Sequence, residues 1–222
     1  MASLEDSWKE ATEGFNGEVC EAWFARLQEA YSDEKRTYHN LISLGEKLSH
    51  YYEIKDKLKN PQFNIINFYF VYFYLINSNF MNSNFELSIN PAIRVANLWV
   101  NFNDFFSQDN EIRAETCALL KVASTHSTEE HKIGGAFGGE DAHYLLDLDM
   151  AILGASPEAY AEYRERIRGE YSFLSEPMYT ALRLKVLQNF VQIPNIFATK
   201  EFRDKFEEQA RHNIQAEVEL LS

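Results

Sequence analysis

Two cysteines, five prolines and nine glycines are all that 222 residues contain of these types, and each scarcity excludes a class of protein. Cys20 and Cys117 lie far apart, with neither a CxxC spacing nor the count of a disulfide framework, so a reducing compartment is expected. The shortage of Gly and Pro excludes collagen-like and low-complexity disordered chains. Basic residues are also short: 34 acidic against 21 basic side chains leave a net charge of -13, and no stretch clusters Lys and Arg. Nucleic-acid backbones and anionic bilayers are bound largely through such clusters, so neither is an expected partner, although a buried basic pocket could still take a small phosphate. The opening MASLEDSWKEATEG has acids where a secretory signal needs a basic start and an apolar run. A cytoplasmic location is therefore expected, with the nucleus as the alternative.

What is present is an ordinary globular composition, 45% hydrophobic and 25% charged, in a chain of a size that builds one sizeable core. A single domain over residues 1–222 is the expectation. Apolar residues recur at helical spacing: Val19, Trp23 and Leu27 on one helix, then Tyr38, Leu41, Ile42, Leu48 and Tyr52 on a second, with Ser32 and Asp33 as N-caps between them. Gly154 closes a later helix and Ser156-Pro157 opens the next, striped by Tyr160, Tyr163, Ile167 and Tyr171. Ser175-Glu176-Pro177 repeats the start signal before Met178, Leu182, Val186 and Phe190, and the pattern stops near Pro194. Thr199 opens a last helix carrying Phe202, Phe206, Ala210, Ile214 and Val218. Outside the stretch described next, no segment alternates convincingly like a strand, so the expected fold class is all-α, a helical bundle.

Residues 60–90, NPQFNIINFYFVYFYLINSNFMNSNFELSIN, break this pattern as an atypical low-complexity insertion with Glu86 its one charge. Three readings are open. A membrane span needs about 20 largely apolar residues, and the run from Phe63 to Ile76 is shorter and interrupted by Asn64 and Asn67. A buried aromatic helix or hairpin is the second. The third is non-native sequence, because Asn, Phe, Ile and Tyr are the residues that a translated AT-rich intron supplies.

Polar residues inside apolar patterns mark the candidate site. Arg36 and His39 stand three apart in EKRTYHNL, which puts them on one face of a helix. Asp147 and Asp149 lie within LLDLDMAILGA, and a carboxylate buried in such surroundings is costly unless paired or bound to metal. The stretch WVNFNDFFSQDNE adds Asn103-Asp104. These elements resemble the predicted metal-dependent phosphohydrolases of the HD superfamily, in the small subfamily with YHNL and LDxDxAILGA elements. The resemblance runs from Trp23 through Arg36 to Leu41, resumes at Asp109-Asn110-Glu111, and extends over Leu146 to Ala155, Tyr160, Tyr163, Ile167-Arg168, Glu170-Tyr171, Arg183, Phe190, Ile196-Phe197, Thr199, Phe202, Phe206, Ala210-Arg211 and Asn213.

The resemblance implies a helical bundle whose divalent metal (Mn, Mg, Co or Fe) is held by an early His, a consecutive His-Asp pair and a later Asp. His39 matches the first, Asn103-Asp104 falls where the pair belongs, and Asp149 or Asp147 matches the last; Asp104 is also the implied catalytic acid-base. Two departures remove imidazoles: Asn103 stands where the family has His, and Ser43 where the subfamily usually carries a second His. A metal in such a site polarises a phosphoryl oxygen and activates bound water, and imidazole suits transition metals where a neutral amide ligates poorly. His39, Asp104 and Asp149 together could hold Mg or Mn weakly through oxygen ligands and waters, or the site holds nothing. Arg36, His126 and Arg183 are the candidate substrate contacts; for Arg183, and for Arg211, pairing with an acid inside the bundle is the competing reading. His131 and His143 are expected at the surface. The glycines of IGGAFGG follow no strand and precede no Lys-Ser/Thr, so they read as a connection rather than a phosphate loop. The expected substrate is a small phosphorylated metabolite or nucleotide; the alternative is a catalytically inactive HD-like helical protein serving as an interaction module.

Overall fold

The computed structural model describes residues 3–62, 64–66, 69, 118–119, 122 and 127–222. Its elements are helices: α1 (Leu4–Ala11), α2 (Gly17–Tyr31), α3 (Leu41–Ile54), α4 (Glu129–Lys132), α5 (Asp141–Met150), α6 (Pro157–Glu170), α7 (Glu176–Gln192) and α8 (Lys200–Leu221), with 3-10 turns at Lys55–Lys57 and Ala151–Gly154. Among the described residues the one extended pairing is an isolated bridge between Gly138 and Thr199. The described residues are therefore all-α, and no described helix is long and apolar enough to cross a membrane. It divides into two compact units, Met1–Asp33 with Leu44–His126, and Glu34–Ser43 with Ser127–Ser222.

In the first unit Ser3 and Asp6 close a capping box on α1, and Asn16 caps α2 by accepting from the Val19 amide. Ser32 is the C-cap of α2 and not the start of a helix. Trp8 is the centre of this core, 2% exposed, with Tyr69 edge-on at 5.2 Å, Phe24 at 6.0 Å, and its indole N–H donating to the Cys20 carbonyl. Ile65, Ile66 and Tyr69, from the start of the Asn/Phe-rich stretch, are helical and buried. Glu10 receives Lys55 at 2.8 Å and the Tyr52 hydroxyl at 2.9 Å.

The second unit is built around the turn Ala151–Gly154, on which α5, α6 and α8 all pack. Ser156 caps α6 through the Ala159 amide, Pro177 lies in the first turn of α7 behind Ser175, and Thr199 caps α8 through the Phe202 amide. Phe197, Phe202 and Phe206 form an aromatic trio with centroids 5.6 to 6.2 Å apart.

Helix α7 corrects one expectation. Met178, Leu182 and Val186 are 60, 44 and 39% exposed, whereas Tyr179, Arg183 and Leu187, one position on, are buried. The reason is Arg183: its Nε and Nη2 bind the two carboxylate oxygens of Glu217 at 2.8 and 3.0 Å, and Glu217 also accepts from the Tyr160 hydroxyl at 2.5 Å. A bidentate pair with a third donor can be buried where an isolated cation could not.

Gly154 is the last residue of the 3-10 turn that ends the helical run begun by α5, as expected, but its φ is not positive. A Cβ at this position would stand 2.6 Å from both the Phe206 Cβ and the Phe206 carbonyl oxygen of α8, and only glycine allows that approach. Since backbone cannot move aside cheaply, Gly154→Ala is expected to lower the free energy of unfolding by about 1–3 kcal/mol, read from urea transitions. An unchanged midpoint would contradict the close packing of α8 on this turn.

Candidate functional site

The segment carrying His39 is not helical: residues 36–40 form a bent turn, and α3 begins only at Leu41. Arg36 and His39 therefore do not share a helical face, contrary to the spacing. Three contacts with the end of α6 hold the turn. The Thr37 hydroxyl donates to the Arg166 carbonyl, in the last turns of α6. Gly169 lets Thr37 approach, since a Cβ there would meet the Thr37 hydroxyl oxygen at 2.8 Å. Glu170 then takes the Tyr38 and His39 amides on one carboxylate oxygen, at 2.8 and 2.6 Å, and lies 2.6 Å from His39 Nδ1 with the other. On the far side Asn40 Oδ1 accepts from the Ile42 and Ser43 amides and starts α3, while the buried Ser43 hydroxyl donates to the Tyr38 carbonyl.

This arrangement leaves the His39 side chain 20% exposed and that of Glu170 10% exposed. Burial pushes the Glu170 carboxyl up, but hydrogen bonds and charge from His39, with the two amides, outweigh it and hold the group below the usual glutamate range. Tyr38 packs with Ile167 and Tyr179, and Ile152, three residues beyond Asp149, packs against the same cluster. The turn bearing His39 and the end of the helix bearing Asp149 thus meet one apolar cluster. Asp149 is half-buried in the last turn of α5.

Asp147 is committed elsewhere. Fully buried, it accepts from the Ala198 amide on one oxygen, and from the Thr199 amide and hydroxyl on the other, at 2.6 to 2.8 Å. It secures the entry to α8. Arg36 is 8% exposed. Arg183 is paired with Glu217 as described, and Arg211 donates to the Ile193 and Pro194 carbonyls and pairs with Glu207. For both arginines the intramolecular pairing weighed in the sequence is what the described residues contain. Asn103, Asp104 and His126 lie outside the described residues. Among the described residues no three His, Cys, Asp or Glu side chains gather where they could hold a metal ion.

Two histidines expected outside are inside. His131 is fully buried with Nδ1 accepting from the Thr128 amide at 3.0 Å; His143 is 9% exposed, with Nδ1 accepting from the Glu140 amide and Nε2 against Glu130, each at 3.0 Å. Each stands three residues after its N-cap and acts as the reciprocal partner of a capping box. The glycine segment closes over the second of them, because a Cβ on Gly138 would lie 2.4 Å from the His143 ring. The Gly138 amide donates to the Ala198 carbonyl.

Glu170 is the residue of the candidate site that site spotting from motifs passes over. Its signal was its place: an acid in the last turn of a helix faces the negative end of the helix dipole, and it stays there only when donors compensate. Comparison with family models, with characterised proteins and with solved structures returns no match.

The depressed Glu170 carboxyl contributes stability above its unfolded pKa of about 4.3, and loses it as pH falls through the lower folded value. Glu170→Gln should therefore cost about 1–3 kcal/mol at pH 7, with the gap to wild type narrowing at pH 3 in urea unfolding. A gap of equal size at both pH values would contradict this.

Proposed function

We propose that the protein is a metal-dependent phosphohydrolase of the HD type, acting on a small phosphorylated metabolite or nucleotide. His39, Asp104 and Asp149 are the metal ligands, with Asn103 in place of a ligating imidazole, and Asp104 handles the proton. The observation that carries this reading is the Glu170 carboxylate behind His39 Nδ1, because histidines that bind metals almost always give their other ring nitrogen to such a partner. The shared apolar cluster, which brings the His39 turn to the element following Asp149, supports it further. The metal, when bound, supplies Lewis-acid polarisation of the phosphoryl oxygen and an acidified water. His39, Asp104 and Asp149 would hold it, and Arg36 and His126 would orient the phosphate.

Metal analysis of the purified protein and phosphatase assays with Mn, Mg and Co test the proposal. Phosphate release that depends on one of these ions is expected, falling at least about 100-fold in His39→Ala, since losing even a residue behind a ligand costs 10–100-fold. Asn103→His should tighten metal binding. Absence of metal and of turnover with all three ions, in wild type and Asn103→His alike, would overturn the reading.

One observation favours an interaction module as the second reading: α7 turns Met178, Leu182, Val186 and Val191 outward, at 60, 44, 39 and 45% exposure. On this reading wild type sediments above monomer mass and Leu182→Asp sediments as a monomer. A monomeric wild type would remove self-association as the use of that face.

A further inference from the structure

We propose that Glu170 is the positioning residue of this site: whenever the His39 ring gives up its second proton, the carboxylate keeps the remaining one on Nδ1, so that Nε2 carries the lone pair with which His39 would ligate a metal. The second half of this statement rests on the ligand role given to His39 above; the first half stands without it. The two oxygens of Glu170 have separate tasks. Oε1 receives two backbone amides, from Tyr38 at 2.8 Å and His39 at 2.6 Å, and a backbone amide can only donate. That fixes the plane of the carboxylate and brings Oε2 to 2.6 Å from Nδ1. An ionised carboxylate offers acceptors alone, so the nitrogen facing it must carry the proton. In a neutral imidazole the other nitrogen is then bare.

The geometry also resists ring rotation. The amide of the same residue is held by the same carboxylate, so backbone and ring of His39 are clamped together. The Tyr38 ring stands edge-on to the imidazole, with centroids 4.9 Å apart and planes at 75°. Thr37 and Gly169 bring the turn onto α6 in the register that lets Glu170 reach it. The carboxylate is thus a preorganised partner that selects the tautomer as well as a neutralising charge.

Glu170→Gln separates these roles. The two amides keep Oε1 of the glutamine, so its NH2 group faces Nδ1; an NH2 only donates, and the ring must move its proton to Nε2. Long-range proton–nitrogen NMR of the full chain, at a pH where the ring is neutral, reads which nitrogen is bare. The expected result is a bare Nε2 in wild type and a bare Nδ1 in Glu170→Gln. Mn affinity in the variant should fall about 10–100-fold. A wild-type ring protonated at Nε2 would overturn the proposal without any variant, and so would a folded Glu170→Gln protein with the wild-type tautomer. A bare wild-type Nε2 in a protein that binds no Mn upholds the tautomer assignment and overturns the ligand role.

Discussion

Carboxylates carried on helices hold the irregular segments of the second unit by pairs of consecutive backbone amides. Glu170 takes the amides of Tyr38 and His39, Glu207 those of Ile196 and Phe197, and Asp147 those of Ala198 and Thr199. The physical requirement is the same each time. Amides outside helices need acceptors once they leave water, and an acid that leaves water needs donors. Joining the two answers both needs, at about 1.5–3 kcal/mol for each charge-assisted bond, although at Asp147 burial outweighs the donors and pushes the carboxyl up to about 7. Residues 195–199 form the connection into α8 and hold four fully buried backbone positions, Ile196 to Thr199, which carry the aromatic trio and the α8 cap with them. The turn at 36–40 is held in the same way, and its clamp falls on His39, the histidine proposed above as a metal ligand.

That coincidence links stability to the site. The carboxylate that satisfies two amides is also the one that faces the imidazole, so the position of His39 is set by the packing of α6 and not by a flexible side chain finding its partner. A ring held from behind by a buried acid loses little freedom when its other face takes a ligand. Asp147 shows the contrast: it lies in the same acid-rich element as Asp149, yet both its oxygens accept from the Ala198–Thr199 segment at the start of α8.

The helices were legible where their signals are local. Ser156 and Thr199 cap α6 and α8 with their side chains, Ser175 takes the N-cap position of α7 without a side-chain bond, and the stripes of α6 and α8 face inward. The buried face of α7 was not legible, because Arg183 is inside only by virtue of Glu217 on a different helix, and a sequence pattern treats arginine as surface. The turn at 36–40 was hidden for a related reason: its residues have good helical spacing, but Glu170 on α6 offers the Tyr38 and His39 amides an acceptor that helix formation would withdraw. His131 and His143 looked solvated because their partners are backbone amides, which no composition reports. Of the candidate site, His39 and Asp149 were visible as a histidine and an acid in telling surroundings. Glu170 was not, since an acid near a helix end resembles any solvated glutamate.

Native-state hydrogen exchange tests the clamp most directly. The amides of Tyr38, His39, Ile196, Phe197, Ala198 and Thr199 lie outside the helices, and the account predicts that they exchange as slowly as the buried turns of α6 and α8, opening only with the unit as a whole. Exchange of these six at the rate of solvated loop amides, while the helices stay protected, would contradict it.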